Sequence, residues 1–552
     1  MATIPDSSSN AHPTAPSQMH FARPADLALK AIVIALGLGC LVTLGLYLRY
    51  SFHVYPILDF NSDDAAALLF SNEVLQQHSL FPDWYNATGI AFPLISPELM
   101  LLPLLMAISH HWMIAFRAAV AVDQLLMAAL VWWVLGLAGA SRVLRLFLLC
   151  FLFVSVSSWM AEQTVMIAGK DWFYAQMLLL IFLTYRCLRA GEERTERRWW
   201  ARYAWLGGVA TVLFIDRSNI SQMVPPLFVA VVALWAMSFD RGPSRLFLAV
   251  LGTLFGAAIA GQFIFRFILP QAVAYHPIAP TFVDLNAAGA NLQLLVRGLL
   301  DLFGATPVPG ESIYSLSSVW WAVKLGLLVV VFLGPLWVLT RWRRLESDFL
   351  RLLVVVFAVS LAIRVLVYVF TGISMNAIRT NRYFISDALV GLTVMLLYFD
   401  QHWRRLPVRV GILAIALVLL VSSPLLVARP AARSEYQQLT AFLEQHHLQH
   451  GYGTFWNAGV LTALSNDRVQ VRQIILGSGD IQPFKWLSSE RWYQGNPDLH
   501  ESFLLLKGAE RKVNLGPLEP VLGKPTRIEN FGDYRAVVYP FDIAQRLGWG
   551  GA

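Results

Sequence analysis

Long uncharged stretches alternate with short polar loops along most of this 552-residue chain. Residues 31–48 run 18 positions without a charged side chain. At 1.5 Å per helical residue, such a stretch nearly crosses a hydrocarbon core of about 30 Å. Comparable stretches predict eleven membrane helices at about 28–49, 113–138, 143–160, 172–188, 203–216, 222–238, 246–268, 318–340, 350–370, 385–399 and 408–428. The short alternating segments of an outer-membrane barrel are absent. Residues 93–108 are apolar but short, with three prolines and Glu98. Counting them as a span would reverse every later loop, so a juxtamembrane or re-entrant helix on the outer face is expected there.

After about residue 430 the pattern changes. A helical run at 435–447 and strand-like runs at 469–476, 502–506 and 534–538 alternate with turn residues such as Gly477-Ser478-Gly479 and Asn530-Phe531-Gly532. The expected organisation is a disordered cytoplasmic N-terminus (1–25), a polytopic α-helical membrane module (26–429) and a soluble extracytoplasmic α/β domain (430–552). The first hydrophobic segment is too long for a signal-peptide core and reads as a retained helix. No internal repeat is evident, which weakens the inverted-repeat plan of many transporters.

Composition agrees with lipid as the solvent. Hydrophobic residues make up 57% and charged residues 14%, against about 25% charged in an average soluble domain. That apolar excess must face lipid. The net charge of +7 lies in loops between spans, a distribution that speaks for topology and against nucleic-acid binding. The Arg-rich loops include 186–202, with six arginines. By the positive-inside rule they are cytoplasmic, which puts the N-terminus inside and the tail on the periplasmic or extracellular side of an inner membrane. Cys40, Cys150 and Cys187 all fall in apolar segments, so no disulfide framework or CxxC metal site is expected in a soluble stretch.

Polar chemistry collects on the outer side. Asp63 and Asp64 follow the first span. Adjacent carboxylates near a bilayer suit a general base or a metal ligand; equally, they suit an acidic first turn capped by Ser62 or Asp63. Glu162 and the run Gly169-Lys170-Asp171-Trp172 read either as site residues or as a loop ion pair with an aromatic anchor. Asp216-Arg217-Ser218-Asn219 reads as a polar turn fixed by an ion pair or as a further cation for the site. Arg379, Arg382 and Tyr383 head a late span from the outer side, against the charge trend. A guanidinium fork matched to a phosphate accounts for that position, as does snorkelling to headgroups. The histidines lack HxxxH or HExxH spacing, so zinc is not expected, and neither a Walker loop nor GxSxG occurs.

The stretch Asp63-Asp64-Ala65, Asn72-Glu73-Val74-Leu75, Pro82-Asp83-Trp84 and Pro93-Leu94-Ile95-Ser96-Pro97-Glu98 resembles the first outer loop of C-type (GT-C) glycosyltransferases. It is similar to that of the lipid A aminoarabinose transferase and protein mannosyltransferase group. In those enzymes an Asp-Glu pair follows the first span, then a helix, a tryptophan-bearing turn and a proline-rich juxtamembrane helix. Here the second acid is Asp64. Arg382-Tyr383 is similar to the Arg-Tyr before an outer-facing span in many bacterial members.

The resemblance implies an inverting transfer of a monosaccharide from a polyprenyl-phosphate-linked donor to a lipid, glycan or protein acceptor on the outer face. It implies Asp63 as base, with Asp64 orienting the acceptor or holding a divalent ion. Arg382, Lys170, Arg379 and Arg217 would grip the donor phosphate. Asp171, Glu162, Trp84, Tyr383 and Glu98 would meet the acceptor or sugar, or supply a second acid. No cofactor is required, because lipid phosphate is already a good leaving group; Mg or Mn at Asp63 and Asp64 is optional. Two rival readings are a lipid-linked glycan flippase or transporter and a glycan polymerase. A flippase would place its charges inside spans near the midplane.

Overall fold

The computed structural model describes residues 24–58, 60–86, 97–166, 170–189, 196–237, 244–269, 281–372, 378–400, 423, 425, 434–477 and 479–549. Helix α1 (Pro24–Arg49) continues through one π-helical turn, Tyr50–Val54, before the first loop begins. Helix α2 (Ser62–Gln77), strand β1 (Trp84–Tyr85) and helix α3 (Pro97–Ser109) build that loop. The described part of the apolar segment at 93–108 thus lies in a helix of 13 residues, Pro97–Ser109, about 20 Å at 1.5 Å per residue and too short to span.

The bundle continues with α4 (Trp112–Leu137), α5 (Arg142–Val154), α6 (Ser158–Val165), α7 (Lys170–Leu188), α8 (Glu196–Leu213), α9 (Arg217–Met237) and α10 (Ser244–Phe263). It closes with α11 (Leu285–Phe303), α12 (Leu316–Thr340), α13 (Asp348–Phe370), the 3-10 turn Ile378–Phe384 and α14 (Ile385–Asp400). Among the described residues seven helices are long and apolar enough to cross a membrane, or eight if the bent pair α5–α6 is one span. The protein is a multi-pass helical membrane protein with fewer such helices than the eleven expected. The stretch 143–160 is broken by a 98° bend, where Ser157 caps α6 by accepting from the Met160 N–H. Residues 172–188 are helical but short, and 203–216 falls in α8, whose first turn is charged. The last expected span, 408–428, lies almost wholly outside the described residues.

One helix was not expected at all. The loop at 269–317 contains α11, whose buried residues Ala288, Asn291, Leu295, Gly298 and Leu302 recur every three or four positions. Such a stripe marks a helix lying with one face on the bundle. Asn291 donates to the carbonyls of Val369 (3.0 Å) and Thr371 (3.2 Å), which ties α11 to the end of α13.

The tail folds as α15 (Glu435–Gln445), β2 (His450–Thr454), α16 (Phe455–Leu464), β3 (Gln470–Gly477), β4 (Asp480–Pro483), β5 (Ser488–Ser489), β6 (Ser502–Lys507), β7 (Arg527–Phe531), β8 (Tyr534–Tyr539) and α17 (Ile543–Leu547). Its six-stranded sheet has the order β4-β3-β2-β6-β8-β7. Strand β2 is parallel to both neighbours, and the outer pairings are antiparallel. The expected strand-like runs thus fall on β3, β6 and β8.

Two short strands, β1 and β5, pair antiparallel and join the first loop to the tail. The hydrophobic core follows the same route. A single cluster of buried side chains runs from Tyr47 and Tyr55 through Leu68 and Phe116 to Leu439, Leu461 and Phe503.

Candidate functional site

Helix α2 begins at a fixed point. Asn61 is its N-cap, its side chain accepting from the Asp63 N–H, and Asp64 reaches back to the Asn61 N–H in a capping box. The cap is therefore Asn61, one residue ahead of the expected Ser62 and two ahead of Asp63. Asp64 is fully buried, and Tyr55 Oη donates to its Oδ2 at 2.5 Å. Asp63, one residue earlier, keeps about a quarter of its side chain exposed. The two adjacent carboxylates thus sit in different environments.

Small side chains let α2 be covered closely. Ala65, Ala66 and Ala67 are all buried. Across them lies α16, where a Cβ added at Gly459 would stand 3.1 Å from Leu69 Cδ1 and 3.7 Å from Ala65 Cβ. Ser62 Oγ donates to the Phe455 carbonyl at 2.7 Å. Further along, the buried carboxylate of Glu73 accepts from Trp492 Nε1 (2.7 Å), Ser489 Oγ (3.2 Å) and Gln77 Nε2 (2.7 Å), with Arg491 3.8 Å away. Asn72 donates to Asp467 at 3.4 Å, and burial pushes that carboxyl upward against the pull of nearby Arg472. Helix α2 is thereby locked between the membrane helices and the α/β domain.

Opposite Asp63 stands Arg382, in the turn Ile378–Phe384, with Nη1 3.6 Å from Asp63 Oδ2. The two residues are 319 positions apart in the chain. The Arg382 guanidinium also lies 4.0 Å from Met166 Sδ. The backbone behind Met166 is pinned at Thr164, whose carbonyl accepts from both Tyr47 and Gln124 at 2.9 Å. Asn381 is fully buried and sits in the notch left by Gly298 on α11; a Cβ there would meet its Nδ2 at 1.1 Å.

A second ion pair, unforeseen from the sequence, supports this turn from inside the bundle. Arg364 of α13 lies 3.0 Å from Asp387 of α14 and donates to Ser386 Oγ at 2.8 Å and to the Tyr383 carbonyl. Ser360 donates to Asp387 at 2.8 Å. Asp387 is fully buried, and Arg364 is about 10% exposed. Ionisable side chains within apolar helices are costly and mark function or a demanding structural task. Here they hold the peptide that follows Arg382. An arginine and an aspartate of opposite sign in adjacent late spans were the available signal.

The other expected residues divide. Tyr383 is more than a third exposed beside Arg382. Glu162 lies on α6, close enough for its charge to act on Tyr55. Glu98 is buried in the first turn of α3. Trp84, expected to meet an acceptor, is 2% exposed and packs edge-on against Phe70 and Trp492, so its ring is core between loop and tail. Arg217 is exposed at the start of α9, and the described hydrogen bonds that hold its turn come from Asn219 and Gln262. The side chains of Lys170, Asp171 and Arg379 lie outside the described residues. Among the described residues no group of three or more His, Cys, Asp or Glu could hold a metal. The optional divalent ion finds a poor donor set at Asp63 and Asp64, since one faces a guanidinium and the other a buried tyrosine hydroxyl.

The fold and site define a multi-pass membrane protein with an acid–arginine pair beside its first loop and a docked α/β domain. No family model matches the chain, and no curated protein matches it in sequence. Among solved structures the chain is similar to ArnT from Cupriavidus metallidurans bound to undecaprenyl phosphate. The TM-score is 0.39 at 11% identity, over 93% of this chain and 98% of that one.

Proposed function

We propose that this protein is a polyprenyl-phosphate-sugar-dependent glycosyltransferase of the GT-C type, moving a monosaccharide to a hydroxyl acceptor on the outer face of the inner membrane. The observation that carries the reading is the Asp63–Arg382 pair, with a proton acceptor and a phosphate-matched cation 3.6 Å apart. The sequence resemblance of the first outer loop supports the same class.

In the proposed reaction the lipid phosphate docks on Arg382, whose fork can bond two phosphate oxygens. The acceptor oxygen attacks the anomeric carbon as the bond from that carbon to the phosphate oxygen breaks. The electron pair leaves with the phosphate, the acceptor proton passes to Asp63, and the anomeric centre inverts. Buried Asp64, already committed to Tyr55 and to the Asn61 cap, positions Asp63 and takes no proton. Lys170, Arg379 and Arg217 are further candidate cations for the phosphate. Tyr383 and Glu162 are the candidates for sugar contact, with Asp171 and Glu98 behind them. No step is routed through a metal.

The test is transfer of labelled sugar from a panel of polyprenyl-phosphate donors to lipid and glycan acceptors by the purified protein in detergent. Asp63→Asn preserves size and hydrogen bonding, so transfer should fall by about 10²-fold or more, the usual scale of general-base assistance. Unchanged transfer would remove Asp63 from the reaction. A lipid-linked glycan flippase would instead move substrate in vesicles and form no product.

A further inference from the structure

Three strands of the tail sheet are parallel: β3, β2 and β6. The chain leaves β2 through α16 to reach β3 on one side, then returns to β6 on the other. Connections that part in opposite directions from one strand leave a crevice beyond its carboxyl end. In open α/β sheets that is where ligands bind.

Here the crevice carries a particular lining. The carboxyl end of β2 runs into Trp456, which is 56% exposed, whereas Trp84 and Trp492 nearby are buried. Thr454 donates to Glu510 at 2.8 Å. Lys507, at the carboxyl end of β6, pairs with Glu435 at 3.0 Å and lies over the Tyr436 ring, whose hydroxyl donates to the Trp456 carbonyl at 3.1 Å. A largely exposed indole, packed edge-on with Phe455, with a tyrosine hydroxyl on its own carbonyl and a carboxylate bonded two residues along the chain, fits a carbohydrate, which offers an apolar C–H face and ring hydroxyls together. Two carboxylates on the rim disfavour an anionic lipid headgroup.

The carboxyl end of β2 also lies close to the candidate site. Ser62 is bonded to the Phe455 carbonyl, and each partner is one residue from the group that matters, Asp63 or Trp456. At 3.8 Å per Cα step, the two lie within about 15 Å.

We propose that the crevice beyond β2 and β6 is a saccharide-binding site with Trp456 as its stacking platform. Resting on the transferase reading above, it serves as the acceptor subsite and takes a glycan or the sugar headgroup of a glycolipid.

The experiment uses the full-length protein in detergent micelles, with no donor present. The probes are methyl glycosides of glucose, galactose, mannose and N-acetylglucosamine, and their trisaccharides, read by saturation-transfer NMR. At least one probe should receive saturation from the wild type. Trp456→Ala should weaken its binding at least tenfold, Trp456→Phe by no more than about threefold, and Lys507→Met to an intermediate degree. Trp456 is exposed, so its removal leaves no core cavity, and an unchanged melting temperature checks the fold. Absence of binding to every probe, or equal binding by Trp456→Ala, overturns the site. So does quenching of the Trp456 emission by acyl-brominated lipids in nanodiscs, which would make the ring a membrane anchor. Because donor is absent, a failed transfer assay leaves this result readable. If transfer is established but acceptor KM is the same in Trp456→Ala, the acceptor role falls.

Discussion

The acid and the cation of the candidate site are held by two different kinds of structure. Helix α2 carries Asp63 and is fixed along a long seam, by three successive buried alanines, α16 packed across them, a cap at Asn61, and separate polar contacts to Asp64 and Glu73. The turn carrying Arg382 is fixed by a few polar contacts, above all Arg364 and Asp387 inside the bundle. Apolar packing spreads its contribution over many small contacts, so losing one leaves the rest. A buried ion pair concentrates it, because removing one partner strands a charge without water. The cation side should therefore be the brittle half of the site and the acid side the tolerant half.

The strongest test of that contrast is Arg364→Leu. Leaving Asp387 buried alone should cost about 3–5 kcal/mol, seen as a large fall in melting temperature in detergent and loss of transfer. The double variant Arg364→Leu/Asp387→Leu should recover most of the stability but not the transfer, since the Tyr383 carbonyl still lacks its donor. A stable single variant would show that other contacts hold the turn.

Next in size is Arg382→Lys. It keeps the charge but loses the fork, and hydrogen bonds to charged groups are worth about 1.5–3 kcal/mol, so the donor KM should rise roughly tenfold with little change in stability. A donor titration at fixed acceptor reads it, and an unchanged KM would leave Arg382 as a headgroup anchor. On the acid side, Gly459→Val pushes a branched side chain towards Leu69. Overpacking of this kind costs about 1–3 kcal/mol, partly offset because glycine is a poor helix former by about 1 kcal/mol. A small shift in melting temperature with transfer retained would sharpen the contrast, whereas complete loss of fold would reverse it.

The smallest effect concerns His450, at the start of β2. Burial first, and then the neighbouring Arg472, hold its pKa below the usual histidine value. The folded state therefore binds fewer protons than the unfolded chain in that window. This stabilising contribution is complete above about pH 6.5 and is lost as pH falls through the lowered folded value. Melting temperature should drop on acidification from pH 7.5 to 5, and His450→Gln should show a slightly shallower drop.

Much of the fold can be read along the chain, because single-residue patterns decide it. Long, mostly apolar runs mark α4, α12 and α13, and short apolar runs between turn residues mark β6 and β8. Helix α11 escapes a hydropathy reading because its polar face, with Arg297 and Asp301, averages away the stripe; only the spacing of Leu295, Gly298 and Leu302 betrays it. The break between α5 and α6 is equally hidden, since serines at 155, 157 and 158 are tolerated in membrane helices. For the site, residue type and loop position single out Asp63 and Arg382. Their pairing crosses 319 residues and belongs to tertiary structure alone. The contrast between Trp84 and Trp456 makes the same point. A motif can indicate that a tryptophan belongs near the acids, but only the packing of Phe70 and Trp492 decides which ring is open.

The cluster shared by the first loop and the tail bears on how the chain is made. Helix α2 leaves the ribosome early, whereas Ser489, which donates to Glu73, follows 416 residues later. At about 5–20 residues per second that is an interval of roughly 20–80 s. Throughout it the alanine face of α2, the Trp84 ring and the Glu73 carboxylate wait at the membrane surface without the partners that will cover them. Biogenesis thus has a vulnerable period near its start. A truncated or stalled chain would present this loop to proteases and holding chaperones, and quality control could gauge completion of the last strands by whether the first loop is still accessible.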